Sequence, residues 1–169
     1  MTRDMPSSRL LKNIPVIVLI LLNFGCDQVS KGLVREKVSP LAYIEVIGDN
    51  LILTNVENTG AMMSVGQGLP PILKIIFLQL LPILVLSILI YKILHKNKLD
   101  RWLAIAFAFV VGGGVGNLID RITYGSVTDF LQIRIGPLRT GIFNMADVSV
   151  TLGALFILFI FIRPKKLHA

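Results

Sequence analysis

The chain has one cysteine, Cys26, and two histidines, His95 and His168. A single thiol excludes an internal disulfide framework and a cysteine-ligated zinc site. The shortage of histidine matters as much, because a Ser-His-Asp arrangement and a zinc hydrolase both need imidazole at the site. His95 falls in a basic loop and His168 at the C-terminus, apart from the other polar motifs. Charge is scarce too: Asp, Glu, Lys and Arg make up 16% of the residues, where a soluble domain carries about a quarter.

In place of charge there is apolar sequence, 54% of the chain, with a mean hydropathy of +0.75. Four runs reach the roughly 20 residues that cross a bilayer. They cover 14–34 (broken by Asn23, Asp27 and Lys31), 72–94 (with Gln79 and Pro82 inside), 102–119 and 143–162. This pattern predicts a mainly α integral membrane protein with four transmembrane helices, folded as one domain over residues 1–169. Pro82 is expected to kink its helix, since it lacks the amide hydrogen that an upstream carbonyl needs.

The net charge of +7 is compatible with nucleic acid. However, the basic residues cluster at the ends of the apolar runs, so topology and membrane lipids account for them better, and no nucleic-acid partner is expected. Arg3, Arg9, Lys12, Lys92, Lys96, Lys98, Arg101, Arg163, Lys165 and Lys166 fall on one side, with only Asp4 and Asp100 against them. The other side has seven basic residues against eight acidic ones. Both termini are therefore expected in the cytoplasm.

The outer segments read as β structure. Residues 42–47 and 51–56 flank Gly48-Asp49-Asn50, and 130–135 and 138–143 flank Gly136-Pro137, so a small extracytoplasmic sheet is expected over 42–56 and 130–143. Residues 66–71 read as a flexible connection or as a short surface-lying helix. The N-terminal run ending in Phe24-Gly25-Cys26 superficially resembles a lipoprotein signal peptide. Asn23 and Phe24 suit such a cleavage site poorly, and cleavage would discard the first span. Cys26 is expected instead as a small buried side chain.

Several polar groups interrupt the apolar runs. Asp27 and Lys31, at i and i+4, can close a salt bridge that lowers the cost of both charges in a membrane. Asn58-Thr59-Gly60-Ala61 is either a plain turn or a place where the Asn58 amide holds a peptide backbone. Gly112, Gly113, Gly114 and Gly116 permit close helix approach. Asn117 and Arg121 share a helical face, with Asp120 beside it; Arg121 either snorkels or grips a substrate.

Two carboxylates stand apart from these. Asp129 follows Val127-Thr128, and Asp147 follows Phe143-Asn144-Met145-Ala146 in the first turn of the last span. The 17 residues between them read as a hairpin, so the chain can return and bring the two acids together. A desolvated acid beside another would hold a shared proton, as hydrolytic carboxylate pairs do. Alternatively each acid pairs separately, Asp129 with Arg121 or Arg134 and Asp147 with a capping amide.

Five motifs in register resemble those of the bacterial lipoprotein signal peptidases (signal peptidase II). They are Asp27-Gln28-Val29-Ser30-Lys31, Asn58-Thr59-Gly60-Ala61, Gly112 through Arg121, Val127-Thr128-Asp129-Phe130, and Phe143 through Asp147. The resemblance implies an aspartic endopeptidase that removes the signal peptide ahead of a diacylglyceryl-modified cysteine. Asp129 and Asp147 would be its catalytic pair; Asn58, Asn117, Arg121 and Asn144 would hold substrate; Asp27, Lys31, Gly60 and Asp120 would support them. It also implies lipid-modified prolipoproteins as substrates, inhibition by globomycin, no metal or other cofactor, and a monomer among membrane lipids. Its site would face outward from the bacterial cytoplasmic membrane. Met62-Met63 departs from the family's usual small residue and Phe, which bears on lid packing and inhibitor contacts.

The main rival is a small membrane transporter or proton relay using the same aspartates. It predicts polar residues deep in several spans, whereas the second span offers Gln79 and Ser87 and the last nothing beyond Thr151. A non-catalytic scaffold would tolerate Asp→Asn changes at both positions. A presenilin-like protease needs Gly-x-Gly-Asp where this chain has Gly114-Val115-Gly116-Asn117.

Overall fold

A computed structural model describes residues 6–61, 64–95 and 99–163, with side chains from residue 13 onward. Arg3, Asp4, Met62, Met63, Lys96, Lys98, Lys165, Lys166, His168 and the side chains of Arg9 and Lys12 lie outside the described residues. Among the described residues, four helices are long and apolar enough to cross a membrane. They are α1 (Pro6–Lys37), α2 (Pro71–His95), α3 (Arg101–Tyr124) and α4 (Met145–Ile162). Four strands accompany them: β1 (Ile44–Ile47), β2 (Leu51–Asn58), β3 (Val127–Ile135) and β4 (Leu138–Arg139).

α3 packs against the other three helices, and its glycines explain how. A Cβ on Gly112 would come within 2.7 Å of Asn23 Cβ on α1, and one on Gly114 within 2.7 Å of Leu86 Cδ2 on α2. On Gly113 it would collide with the Ala146 carbonyl of α4, and on Gly116 with the Asp27 carboxylate of α1. Lipid tails are as apolar as leucine, so helices in a bilayer associate through close backbone packing of this kind. The leucines and isoleucines left exposed on α1, α2 and α4 form the outward, lipid-compatible surface.

Helix ends follow local chemistry. Asp100 Oδ1 accepts from the amides of Trp102 and Leu103 and starts α3, and Gly125, at φ 75°, ends it in a left-handed cap. Within α2, Pro82 is preceded by a π turn over Ile76–Leu80, in which the Leu81 amide reaches back to the Ile76 carbonyl. The wider turn is the local distortion that accommodates a proline in the span.

Cys26 is exposed, contrary to the buried side chain expected. Asp27 and Lys31 turn one face of α1 inward, and Cys26 lies on the opposite stripe with Leu22, Val29 and Leu33, all of them exposed.

The sheet is antiparallel in the order β1-β2-β3-β4. β3 begins three residues before the expected 130, because Asn58 pairs with Val127, Glu57 with Thr128 and Val56 with Asp129. Asp129 therefore sits in a strand. β4 is much shorter than the expected 138–143. Thr140 Oγ1 accepts from the Ile133 amide at 3.0 Å, so a side chain takes over the ladder and residues 141–142 leave it. Phe143 then rejoins β3 through paired backbone bonds with Leu131. Residues 66–69 form turns and a bend, and Pro71 already begins α2, so no separate surface-lying helix is found within this connection.

Candidate active site

The last turn of α3, the first turn of α4, the start of β3 and the end of β2 converge at one rim. Asn144, fully buried, links the two acids there. Its Nδ2 donates to Asp129 Oδ1 at 2.6 Å. Its Oδ1 accepts from the Asp147 amide at 3.0 Å, and its own amide donates to Asp147 Oδ2 at 3.2 Å. The sequence reason is a capping box, with Asn144 as N-cap of α4 and Asp147 three residues on. A cap normally spends its side-chain oxygen and leaves an amide nitrogen free; here that nitrogen holds Asp129.

The second oxygen of each acid is also held. Asp129 Oδ2 accepts from Asn58 Nδ2 at 2.8 Å, and Asp147 Oδ1 accepts from Asn117 Nδ2 at 2.8 Å. Arg121 and Arg134 make no ion pair with Asp129 among the described residues. Of the separate pairings considered above, only the capping amide of Asp147 is found. Burial, offset in part by the bonds from Asn58 and Asn144 and aided by the neighbouring Asp147 charge, raises the Asp129 carboxyl to about 6.

The Asn58-Thr59-Gly60-Ala61 motif is a turn whose amide also serves the site. Asn58 Oδ1 accepts from the Gly60 amide at 2.8 Å, while Nδ2 serves the Ala61 carbonyl and Asp129. A Cβ at Gly60 would sit 2.7 Å from the Val65 carbonyl oxygen, so the close return of the chain requires glycine there. Arg121 does not simply snorkel: its Nη2 donates to the Gly60 carbonyl at 2.9 Å, and its buried Nε meets no acceptor among the described residues.

Behind the acids lies a buried charge cluster. Lys31 Nζ is 2.7 Å from Asp27 Oδ2 and 2.9 Å from Asp120 Oδ2, and all three side chains are fully buried. The salt bridge expected from spacing is present, with Asp120 as a second partner. Two bonds lead from the cluster to the site. Asp27 Oδ1 accepts from the Ala146 amide at 2.8 Å, and Lys31 Nζ donates to Asn117 Oδ1 at 2.9 Å. The lysine fixes which way round the Asn117 amide sits, so that its nitrogen faces Asp147.

Sequence reasoning missed three participants. Gln28 Nε2 bridges Asp27, Asp120 and the Gly116 carbonyl at 3.2 to 3.3 Å. Arg35 reaches both Asp120 and Thr128, and Ser149 bonds Asn23 and the Phe109 carbonyl. The one signal in the sequence was the run Gln28, Lys31, Arg35 on a single stripe of α1. Alongside Asp147, residues 140–143 with Val148, Thr151 and Leu152 line an apolar groove of about 410 Å³. No group of three or more metal-binding side chains comes together among the described residues.

Comparison with known proteins puts this geometry in context. A family model described as signal peptidase (SPase) II matches residues 19–163. The lipoprotein signal peptidase of Halothermothrix orenii is 37% identical over 151 residues, covering 89% of this chain and 97% of that one. The lipoprotein signal peptidase of Enterococcus faecalis is 34% identical over 142 residues, 84% of each chain. A bacterial membrane enzyme solved in meso at 1.9 Å superposes with a TM-score of 0.79 at 27% identity, over 89% of this chain and 94% of its own.

Proposed function

The chain belongs to the signal peptidase II family, and on that premise we propose that it is an aspartic endopeptidase of lipid-modified prolipoproteins. It cuts the peptide bond just before the diacylglyceryl-modified cysteine. The observation that carries this reading is Asn144, bonded to Asp129 by one arm and to Asp147 by the other, beside an apolar groove open to a lipid-anchored substrate.

In this mechanism Asp129 and Asp147 share one proton. The ionised acid takes a proton from water as its oxygen attacks the scissile carbonyl carbon. The protonated acid gives its proton to the carbonyl oxygen. The acid that took the water proton then passes it to the leaving nitrogen, and the diol returns a proton to the first acid as the C–N bond breaks, so that OH is added to carbon and H to nitrogen. Asn58, Asn117 and Asn144 keep both acids in place. Arg121, whose Nε meets no acceptor among the described residues, offers a donor to a substrate carbonyl, and Gly60 lets the 58–61 turn approach the site. The enzyme works as a monomer and a single domain among membrane lipids of the bacterial cytoplasmic membrane. The site faces away from the cytoplasm, and globomycin-type peptides inhibit it.

Cleavage of a lipidated prolipoprotein by the purified protein in lipid or detergent tests the reading; release of no signal peptide would end it. Arg121→Ala is expected to lower kcat/KM by about 10- to 100-fold, the worth of a charge-assisted bond to substrate. An unchanged specificity constant would remove the gripping role.

The pH profile provides a second check. Asp129 must keep its proton, and the pair titrates as a unit. With that carboxyl raised to about 6, kcat/KM is expected to fall on the alkaline side of that value by about tenfold per pH unit. A profile flat from pH 5 to pH 8 would contradict proton storage on Asp129.

A further inference from the structure

Arg35 lies one turn beyond Lys31 on α1, with a quarter of its side chain exposed. Its Nη2 stands 3.1 Å from Asp120 Oδ2 as an ion pair, and its Nε donates to Thr128 Oγ1 at 2.7 Å. Its guanidinium lies over the Tyr124 ring, 4.3 Å from the centroid. Thr128 is fully buried and immediately precedes Asp129; its Oγ1 passes the bond on to Glu57 Oε1 at 2.7 Å. Glu57 is the cross-strand partner of Thr128 and also accepts from Ser126 Oγ at 2.5 Å. Arg35 thus joins α1, the end of α3, β2 and β3 at one point.

We propose that Arg35 is a positioning residue for the catalytic pair, joining helix-borne Asp120 to Thr128 so that β3 holds Asp129 in register with Asp147. This rests on the peptidase reading above. Asp129 lies between two anchors on its strand. On one side Phe130 and Leu131 bond the backbone of Phe143, at the entrance to α4. On the other side the Arg35–Thr128 bond fastens the strand to α1 and α3. A strand held at one end can still rotate about it, and misplacing a reacting group by about 1 Å costs on the order of 100-fold.

The guanidinium fork is what the role requires. One nitrogen lies at ion-pair distance from the acid while another donates to the hydroxyl, whereas a lysine ammonium at the same position is a point charge that serves one of them. The charged or titratable groups around Arg35 are Asp120 and Tyr124 on α3, Glu57 through Thr128, and Lys31 across Asp120. A residue needed only to balance the Asp120 charge would be replaced well by lysine.

The test compares Arg35→Lys and Thr128→Val with the wild type in the same detergent, reading prolipoprotein cleavage and backbone amide exchange. Both variants are expected to lose about 10- to 100-fold in kcat with KM within about twofold. Both should also exchange faster over 126–131, with α4 unchanged. Wild-type kcat in Arg35→Lys, or unaltered exchange over 126–131 in either variant, would overturn the proposal. If the wild type itself releases no signal peptide, the peptidase reading fails, and amide exchange alone then decides whether Arg35 fastens β3.

Discussion

Asp129→Asn and Asp147→Asn are each expected to reduce prolipoprotein turnover by on the order of 10³-fold while the protein still folds. The site's bonding pattern says why the fold survives and the chemistry does not. Asp129 accepts from Asn58 Nδ2 and Asn144 Nδ2, and Asp147 from Asn117 Nδ2 and the Asn144 amide. An asparagine at either position keeps one acceptor oxygen and turns an NH2 toward the other donor, at a cost of about 1–3 kcal/mol. At Asp129 the variant also escapes the burial of a charge, which offsets part of that cost. Neither amide can store or pass a proton, so turnover stops in a molecule whose unfolding is close to that of the wild type. Retained cleavage in either variant would remove that residue from the mechanism, and retained cleavage in both would place the chemistry on other groups.

Stability carries an independent sign for Asp129. Its folded value of about 6 lies above the ordinary 3.8, so between those values the native state binds more protons than the unfolded one. Wild-type stability therefore falls, relative to Asp129→Asn, as pH rises from about 4 to 6, and the difference then stays constant. Parallel unfolding curves across that range would mean that Asp129 is not desolvated.

The elements legible in the sequence are those set by local pattern. Apolar length gave the four spans. The i, i+4 spacing gave the Asp27–Lys31 bridge, and glycine density gave the close packing of α3. Contacts between residues distant in sequence were not legible. Arg35 meets Thr128 across 93 residues, and Glu57 meets the same hydroxyl across 71. The stripe that Arg35 shares with Gln28 and Lys31 shows which face of α1 it lies on, but not that this face meets a strand folding back from the far side of α3. The same limit applies to Asn144. Its capping role follows from Asp147 three residues later, but its free nitrogen finds Asp129 only because Phe143 rejoins β3 beside it. Even the strand ends were decided by partners distant from the local pattern. Thr140 ended β4 early by bonding Ile133, and the β2 ladder extended β3 back to Val127, placing Asp129 within a strand.

Lys31→Met is expected to be the most destabilising single change at the site, by about 3–5 kcal/mol, because it leaves buried carboxylates without their shared cation. Lys31, Asp27 and Asp120 have no exposed side-chain surface, and Arg35 at 3.1 Å from Asp120 is the remaining cation of the cluster. Methionine occupies similar apolar space without a donor, so the loss measures charge and hydrogen bonding more than packing. Adding Asp120→Asn restores the balance between Asp27 and Arg35, and the double variant is expected to recover part of the lost unfolding temperature. Turnover should not recover with it. Lys31 donates to Asn117 Oδ1, and that bond turns Asn117 Nδ2 toward Asp147. Without the donor the amide is free to flip and present its oxygen to the acid. Stability then tracks the charge balance of the cluster, while activity tracks the orientation of one amide. A double variant that regained both together would show that Lys31 supports the site through charge alone.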